Sequence, residues 1–441
     1  MENSMPKKYL VNALLGLAFT LSLVGCNSSD DAGLSSDAAS PDMGVVMPDL
    51  GAMVDAGASA DQGINSDIPA PGEWAQIEPG GDTVCSRGTP YRFFVRGGRP
   101  DRVIVDFRGG GACWNDLTCS VAGSIFAEDV SDFETLSSFA ESGVLGGVFD
   151  IAEDSVFKDW TIVHIPYCTG DVHWGNAVHE YSDGNNVIHH KGYVNASAAL
   201  QWLYDRYLDP ENILISGCSA GAYGAIMHSA YVANHYLDTK VAVLADSGSG
   251  IITDNFLTDS LPNWGAQQNI PPFIEELQVP LSELELPDLY QAIGDYFPQH
   301  RFAQTSTAFD ADQIFYFEAM GGDRHEWPPR FQDSLERIEE RTANFRVYVP
   351  PGPVHCVTPY PFYSSRTVNG VKLSDWVRDL IFAEEMPDSV KCQGEDCYDD
   401  PVCADCEING GLWCGFCRGW PENFRPPAEA GPEMSDGSGG E

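Results

Sequence analysis

The chain has 441 residues, of which 43% are hydrophobic, enough for one large globular domain with accessory segments. Its 65 acidic residues outnumber 24 basic ones, which gives a formal net charge of -41 at pH 7. This charge excludes nucleic acid as a partner, because the phosphates would be repelled, and it disfavours a heavily de-esterified polyuronate for the same reason.

The first 26 residues predict a lipoprotein signal peptide. Lys7 and Lys8 precede an apolar run from Leu10 to Val24, which is too short for a membrane-spanning helix. The sequence then reaches Cys26 in an ending, Leu-Val-Gly-Cys, that resembles a bacterial lipobox. We therefore expect an exported protein anchored through lipid on Cys26, in the cell envelope or at its surface; an ordinary cleaved signal peptide is the alternative.

The segments beside the main body have the composition of disordered chain. Residues 27–73 contain no Lys, Arg or aromatic residue and predict a disordered tether, and residues 421–441 predict a disordered acidic tail. Between them we expect a main domain over residues 74–388 and a cysteine-rich module over residues 389–420.

The main domain alternates strand and helix patterns. Apolar runs predict buried strands, and apolar residues at three- and four-residue spacing predict helices over 193–207 and 220–236. Alternation of this kind predicts an α/β fold with a mainly parallel sheet covered by helices on both faces. The predicted strands are Arg102–Phe107, Trp160–Tyr167, Asn212–Ser216, Lys240–Ala245 and Phe345–Val349.

A nucleophile is predicted where the third of these strands ends. Gly217-Cys-Ser-Ala-Gly221 follows it, and a helix begins almost at once. Gly-x-Ser-x-Gly between a strand and a helix is typical of a nucleophile elbow, a strained turn that tolerates only small flanking residues. The predicted nucleophile is Ser219, at the centre of the turn, and not the adjacent Cys218.

An activated serine requires a base and an acid, which in this kind of fold follow it in the order Asp or Glu, then His. Among ten histidines, His355 lies just after the last strand of the domain, and His325 is the second candidate. Asp246 and Asp310 both follow apolar strands, and the pattern alone does not choose between them. Four further histidines, His173, His179, His189 and His190, lie close together in the sequence. They are a conceivable metal site, although loop histidines are more often solvated.

An oxyanion hole is predicted from Gly109-Gly-Gly111, which follows the first strand, together with the backbone N–H of Ala220. The glycine loop has the position of the glycine-rich loop in many esterases. Removal of one such donor typically lowers the rate about 100- to 1000-fold.

Thirteen cysteines leave an even number once Cys26 is assigned to lipid, which favours disulfides in an exported chain. Six of these cysteines lie in the main domain, and the other six lie between Cys392 and Cys417. This C-terminal group resembles the small plexin-semaphorin-integrin cystine module, which implies a spacer or a surface for a protein partner; a zinc site is the alternative. The cysteines of the main domain are Cys85, Cys113, Cys119, Cys168, Cys218 and Cys356.

Five separated segments resemble the pectin acetylesterase and Notum family of serine carboxylesterases over about residues 74–385. They are GGGACWN at 109–115, YCTGDVHWGN at 167–176, GCSAGAYG at 217–224, FDADQI at 309–314 and VHCV at 354–357.

The resemblance implies an α/β-hydrolase fold with Ser219 as nucleophile and His355 as base. It favours Asp310 over Asp246, because the family's acid follows a strand in a Phe-Asp segment. It also implies oxyanion donors at Gly110, Gly111 and Ala220, and disulfides joining Cys218 to Cys356, Cys113 to Cys119 and Cys85 to Cys168. Gly111 departs from the animal branch, where an aromatic residue follows Gly-Gly.

The sequence thus predicts a carboxylesterase that removes acyl groups, with acetyl on a polysaccharide such as pectin as the first expectation, without metal or organic cofactor. The alternatives are removal of a fatty acyl group from a protein, and a non-catalytic binding or adhesion protein on a hydrolase scaffold. Candidate substrate contacts are Trp114, Trp174 and Tyr223, although aromatic residues are more often part of a core.

Overall fold

A computed structural model describes residues 68–425, except 121–124, 131–144, 153, 183, 260, 410 and 411. The predicted signal peptide with Cys26, most of the predicted tether and the tail beyond residue 425 lie outside the described residues. Within the described ranges, no helix combines the length and the apolar character needed to cross a membrane.

A nine-stranded sheet forms the centre of the protein, in the order β1-β2-β4-β3-β7-β8-β9-β10-β13. The first two strands run antiparallel to their neighbours, and every pair from β4 to β13 is parallel. Two small hairpins, β5-β6 and β11-β12, lie outside it. The strands are β1 Trp74–Ile77, β2 Phe93–Arg96, β3 Arg99–Phe107, β4 Trp160–Ile165, β5 Ala177–Tyr181, β6 Asn186–His190, β7 Asn212–Cys218, β8 Lys240–Asp246, β9 Arg301–Thr305, β10 Phe345–Val349, β11 Thr367–Val368, β12 Val371–Lys372 and β13 Val390–Lys391.

Helices connect the parallel strands. The helix that follows the predicted nucleophile packs against β7 and β8 with almost its whole surface buried, as expected for a helix covering the middle of a sheet. The helices are α1 Asp116–Ser120, α2 Gly192–Arg206, α3 Ala220–His235, α4 Asp254–Asp259, α5 Leu286–Tyr296, α6 Ala311–Ala319, α7 Trp327–Arg341, α8 Leu373–Phe382 and α9 Pro401–Asn409.

All five predicted strands are present, and their ends differ from the predicted ones by at most three residues. The five predicted strands do not include β9, the strand before Asp310, which lies between β8 and β10 in the sheet. Its sequence, Arg-Phe-Ala-Gln-Thr, buries Gln304 and Thr305 and so has no continuous apolar run. Polar residues in a buried strand conceal it from a hydrophobic pattern.

The cysteine-rich segment packs on the main body close to Asp310. Phe309 stacks on Tyr398, with ring centroids 4.5 Å apart, and Trp420 lies 5.6 Å from both rings. A buried ion pair also joins Arg366 of the main body to Asp400 of this segment at 3.0 Å. The segment's six cysteines pair as Cys392–Cys397, Cys403–Cys417 and Cys406–Cys414. They therefore offer no thiolate to a zinc ion.

Candidate active site

Ser219 lies in a strained turn between β7 and α3. Its backbone has φ 58° and ψ -125°, a conformation that costs a non-glycine residue roughly 1–3 kcal/mol. The flanking glycines are required by space: a Cβ on Gly217 would lie 2.2 Å from the carbonyl oxygen of Gly221, and one on Gly221 would lie 1.9 Å from that of Phe107. The turn therefore has the geometry of a nucleophile elbow.

The imidazole of His355 lies against the carboxylate of Asp310. Nδ1 of His355 is 2.8 Å from Oδ1 and 2.9 Å from Oδ2, and Asp310 is fully buried. The carboxylate also accepts hydrogen bonds from the backbone N–H and the side-chain amide of Gln313. These contacts fix the acid at Nδ1, and His355 lines the same cavity as Ser219.

Asp246, the other predicted acid, holds the backbone after His355. Its Oδ2 accepts hydrogen bonds from the N–H groups of Val357 and Thr358 and from the hydroxyl of Thr358, at 2.6, 2.7 and 2.8 Å. Its backbone carbonyl accepts the N–H of Ser219 at 2.8 Å. Burial raises the pKa of Asp246, and these hydrogen bonds oppose that shift. Asp246 thus connects the serine turn to the histidine loop.

The glycine loop after β3 lies directly against the serine turn. A Cβ on Gly109 would be 2.4 Å from the carbonyl oxygen of Cys218 and 2.8 Å from Cβ of Ser219. Gly111 and Ala220 line the same cavity as Ser219, whereas Gly110 is absent from its described lining and packs on Tyr167.

His173 supports this loop from behind. Its Nε2 lies 2.9 Å from the carbonyl oxygen of Arg108, the residue before the glycines. Burial lowers the pKa of His173 to about 3, so the ring is neutral and donates a hydrogen bond to that carbonyl. Val172 and His173 both have positive φ, which marks a strained segment. The sequence did not reveal this role of His173, because its partner is a backbone atom distant in sequence.

A cavity of about 410 Å³ opens at Ser219 and His355. Its walls are mostly apolar, and the charged residues of the lining include Glu285 just before α5 and Arg330, Asp333 and Arg337 of α7. Pockets of this size hold drug-sized ligands. The apolar side chains come largely from the segment between β8 and β9, including Ile251, Ile252, Leu257, Leu284 and Leu289, and Met320 after α6 adds another.

Two of the three predicted substrate contacts line this cavity. Trp174 donates its indole N–H to the carbonyl of Tyr223 at 2.8 Å, and the hydroxyl of Tyr223 accepts the N–H of Gly250 at 3.0 Å. Trp114 is buried and instead lines a neighbouring, more polar cleft together with Asp116 and His179.

Three disulfides lie in the main body. Cys218 is bonded to Cys356, which ties the serine turn to the histidine loop, and the other two bonds join Cys113 to Cys119 and Cys85 to Cys168. Disulfides of this number are typical of a chain that folds in an oxidising compartment.

The four histidines considered as a metal site do not share one loop. His179 lies on β5, His189 and His190 lie on β6, and His173 precedes the hairpin. His190 is buried between Tyr181 and the carbonyl of Thr169, and burial lowers its pKa to about 3. Among the described residues, two groups bring His and Cys side chains close enough to share an ion. Every cysteine in these groups is disulfide-bonded.

The comparisons with known proteins point to one family. Residues 78–260 match the sequence model described as Pectinacetylesterase. Pectin acetylesterase 5 of Arabidopsis thaliana is 27% identical over 147 residues, 33% of each chain. Pectin acetylesterase 11 of the same plant is 29% identical over 170 residues, 37% of this chain and 42% of the relative. The chain thus spans about a third of the length of the first of these relatives and somewhat more of the other.

The fold has a solved counterpart in the Wnt deacylase Notum from Drosophila. Its structure covers 67% of this chain and 89% of its own, with a TM-score of 0.51 and 15% sequence identity. Together with the parallel sheet, this likeness confirms the predicted α/β-hydrolase fold. Because the sequence identity is only 15%, the likeness shows the fold and nothing about activity.

Proposed function

We propose that this chain, which belongs to the pectin acetylesterase family through residues 78–260, is a serine carboxylesterase. One observation carries the proposal: His355 is held through Nδ1 by buried Asp310 and shares a cavity with Ser219, which lies in a strained elbow. A binding protein on the same scaffold would have no need for this strain and this buried acid–base pair.

In the proposed reaction the hydroxyl of Ser219 attacks the ester carbonyl while Nε2 of His355 takes its proton. His355 then returns that proton to the departing alcohol, and Asp310 stabilises the imidazolium. The N–H groups of Gly110, Gly111 and Ala220 are the proposed donors to the tetrahedral oxyanion. Water then attacks the acyl-enzyme while His355 takes its proton. His355 passes that proton to the oxygen of Ser219, which releases the carboxylic acid product and restores the serine.

The cavity favours an acyl chain longer than acetyl. A methyl group occupies about the volume of one water, roughly 30 Å³, and would leave most of the 410 Å³ unfilled. Each methylene buried in apolar surroundings contributes about 0.8 kcal/mol, so two more carbons raise kcat/KM roughly tenfold. Removal of acetyl from a polysaccharide is the second candidate, favoured by the names of the curated relatives.

The first test is fluorophosphonate labelling of the full-length protein, followed by mass spectrometry of the labelled peptide. We expect the label on Ser219, and its loss in Ser219→Ala and in His355→Ala. The matched control is Ser364→Ala, an exposed serine outside the cavity, which should label normally. A folded protein that takes no label would overturn the esterase and favour the binding protein.

The second test compares p-nitrophenyl acetate, butyrate and octanoate. Ile251→Trp narrows the cavity and should lower kcat/KM for octanoate about tenfold or more while sparing acetate. Leu237→Trp, at an exposed position away from the cavity, is the control. Equal rates on acetate and octanoate in the wild type, together with activity on acetylated pectin, would favour the second candidate.

We also propose that the enzyme is exported and held at a membrane through lipid on Cys26. The disulfides favour export. Metabolic labelling with a radioactive fatty acid tests the anchor, because Cys26→Ala should abolish incorporation if the lipobox is used.

A further inference from the structure

The imidazole of His355 has a carboxylate on each side. Asp310 holds Nδ1, and Oδ2 of Asp312 lies 4.0 Å from Nε2, the nitrogen that must accept the proton of Ser219. Among the described residues, no hydrogen bond joins His355 to Ser219. The proposed mechanism uses Asp310 and gives no task to Asp312.

Both carboxylates come from the start of α6. Asp310 caps the helix and Asp312 is its second residue, so the aligned backbone dipoles favour negative charge on both. Burial nevertheless raises the pKa of Asp312, and the charge of protonated His355 opposes that shift. Two residues on one rigid turn therefore place a carboxylate at each ring nitrogen. Sequence spacing could not reveal this, because it depends on where the loop of His355 crosses the helix.

We propose that Asp312 is a positioning residue: its carboxylate attracts the protonated Nε2 of His355 and thereby moves the onset of the base's action to higher pH. The inference rests on the proposed esterase, since the base acts only if Ser219 is the nucleophile. Neutral His355 accepts the proton of Ser219, whereas the imidazolium held between Asp310 and Asp312 cannot.

The other groups around His355 agree with this. Burial by itself lowers the pKa of His355, but the carboxylates of Asp310, Asp312 and Asp246 outweigh it and raise the pKa to about 9. The phenols of Tyr223, Tyr316 and Tyr360 stay neutral because burial raises each pKa. The cation Arg108 interacts with Tyr360, and Arg330 and Arg337 line the same cavity as His355. The side chain of Asp312 is 31% exposed, so water screens part of its charge.

The sign of the effect follows from the protonation states. The esterase needs neutral imidazole, so kcat/KM should rise as pH passes through the pKa of His355. Asp312→Asn removes one stabilising charge from the imidazolium and should move the midpoint of that rise to lower pH by about one unit. Asp312→Glu retains the charge and should restore a midpoint close to that of the wild type.

The experiment measures kcat/KM for p-nitrophenyl butyrate against pH in the wild type, Asp312→Asn, Asp312→Glu and Asp295→Asn. Asp295, exposed on α5 and outside the cavity, controls for loss of a carboxylate and should leave the profile unchanged. A rate lowered equally at every pH in Asp312→Asn, with the midpoint unmoved, would mean a merely structural role and overturn the inference.

An NMR titration of the His355 imidazole in the same full-length proteins provides a readout independent of turnover. An active wild type whose profile and titration are both unchanged by Asp312→Asn would overturn the role of Asp312 and leave the esterase intact. A titration that shifts in Asp312→Asn, in a wild type without hydrolysis or fluorophosphonate labelling, would support the electrostatic contact and overturn the esterase.

Discussion

The carboxylate of Asp246 accepts a hydrogen bond of 2.6 Å from the backbone N–H of Val357, two residues after His355. This contact separates the tasks of the two acids that the sequence left as alternatives. Asp310 contacts the imidazole ring, and Asp246 fixes the backbone that carries it. Removing Asp310 should therefore lower mainly kcat, whereas removing Asp246 should also lower the free energy of unfolding.

Asp246→Ala should lower stability and activity together. It leaves buried N–H groups of Val357 and Thr358 without acceptors, which costs about 1–3 kcal/mol for each group. The free energy of unfolding, measured with denaturant, should fall by about 3 kcal/mol. Asp310→Asn is the contrast: it keeps the shape of the side chain and should reduce kcat by up to about 10⁴-fold with a smaller loss of stability. Equal losses of stability in both variants would contradict this division.

Gly109→Ala should impair catalysis by displacing the serine turn. The added Cβ would meet the carbonyl of Cys218 at 2.4 Å and Cβ of Ser219 at 2.8 Å, so the turn or the glycine loop must move. We expect kcat to fall about 100-fold, the effect of losing an oxyanion donor. Gly415→Ala is the control, because a Cβ there meets no atom within 4 Å. Wild-type kcat in Gly109→Ala would show that the loop is not needed in this position.

The disulfide between Cys218 and Cys356 should stabilise the site strongly, because it closes a loop with a sequence separation of 138. The double variant Cys218→Ala, Cys356→Ala should lose about 2–4 kcal/mol of unfolding free energy and most of its kcat. Removal of Cys392–Cys397, with a separation of 5, should cost less on both measures. A larger effect from the short loop would contradict the argument from chain entropy.

Trp420→Ala should reduce kcat although Trp420 lies outside the cavity. It removes the ring that packs on Phe309 and Tyr398, next to Asp310. We expect a loss of about 3 kcal/mol in unfolding free energy and about tenfold in kcat, with KM little changed. Ile408→Ala, in the same segment and 81% exposed, should change neither. If Trp420→Ala is destabilised but fully active, the segment supports the fold without positioning the acid.

Much of the site was predictable because its signals are local. The elbow around Ser219 needs small residues at fixed positions, and His355 follows the last long strand of the sheet, so both are visible in a short window of sequence. The resemblance to the pectin acetylesterase family rested on five motifs, and the three that lie before residue 260 fall within the matched residues 78–260. It favoured the acid that the structure brings to the imidazole, which pattern alone could not select.

The sequence by itself determined the fold class, the elbow and the resemblance to one family, since hydrophobic period and turn chemistry act over a few residues. Only the tertiary structure decided what Asp246, Asp312 and His173 contact, because each partner is a backbone or ring atom brought close by packing of distant segments. The size of the apolar cavity was likewise set by how the segment between β8 and β9 folds over the sheet. Volume left between packed elements is a property of three dimensions, and no single stretch of sequence encodes it.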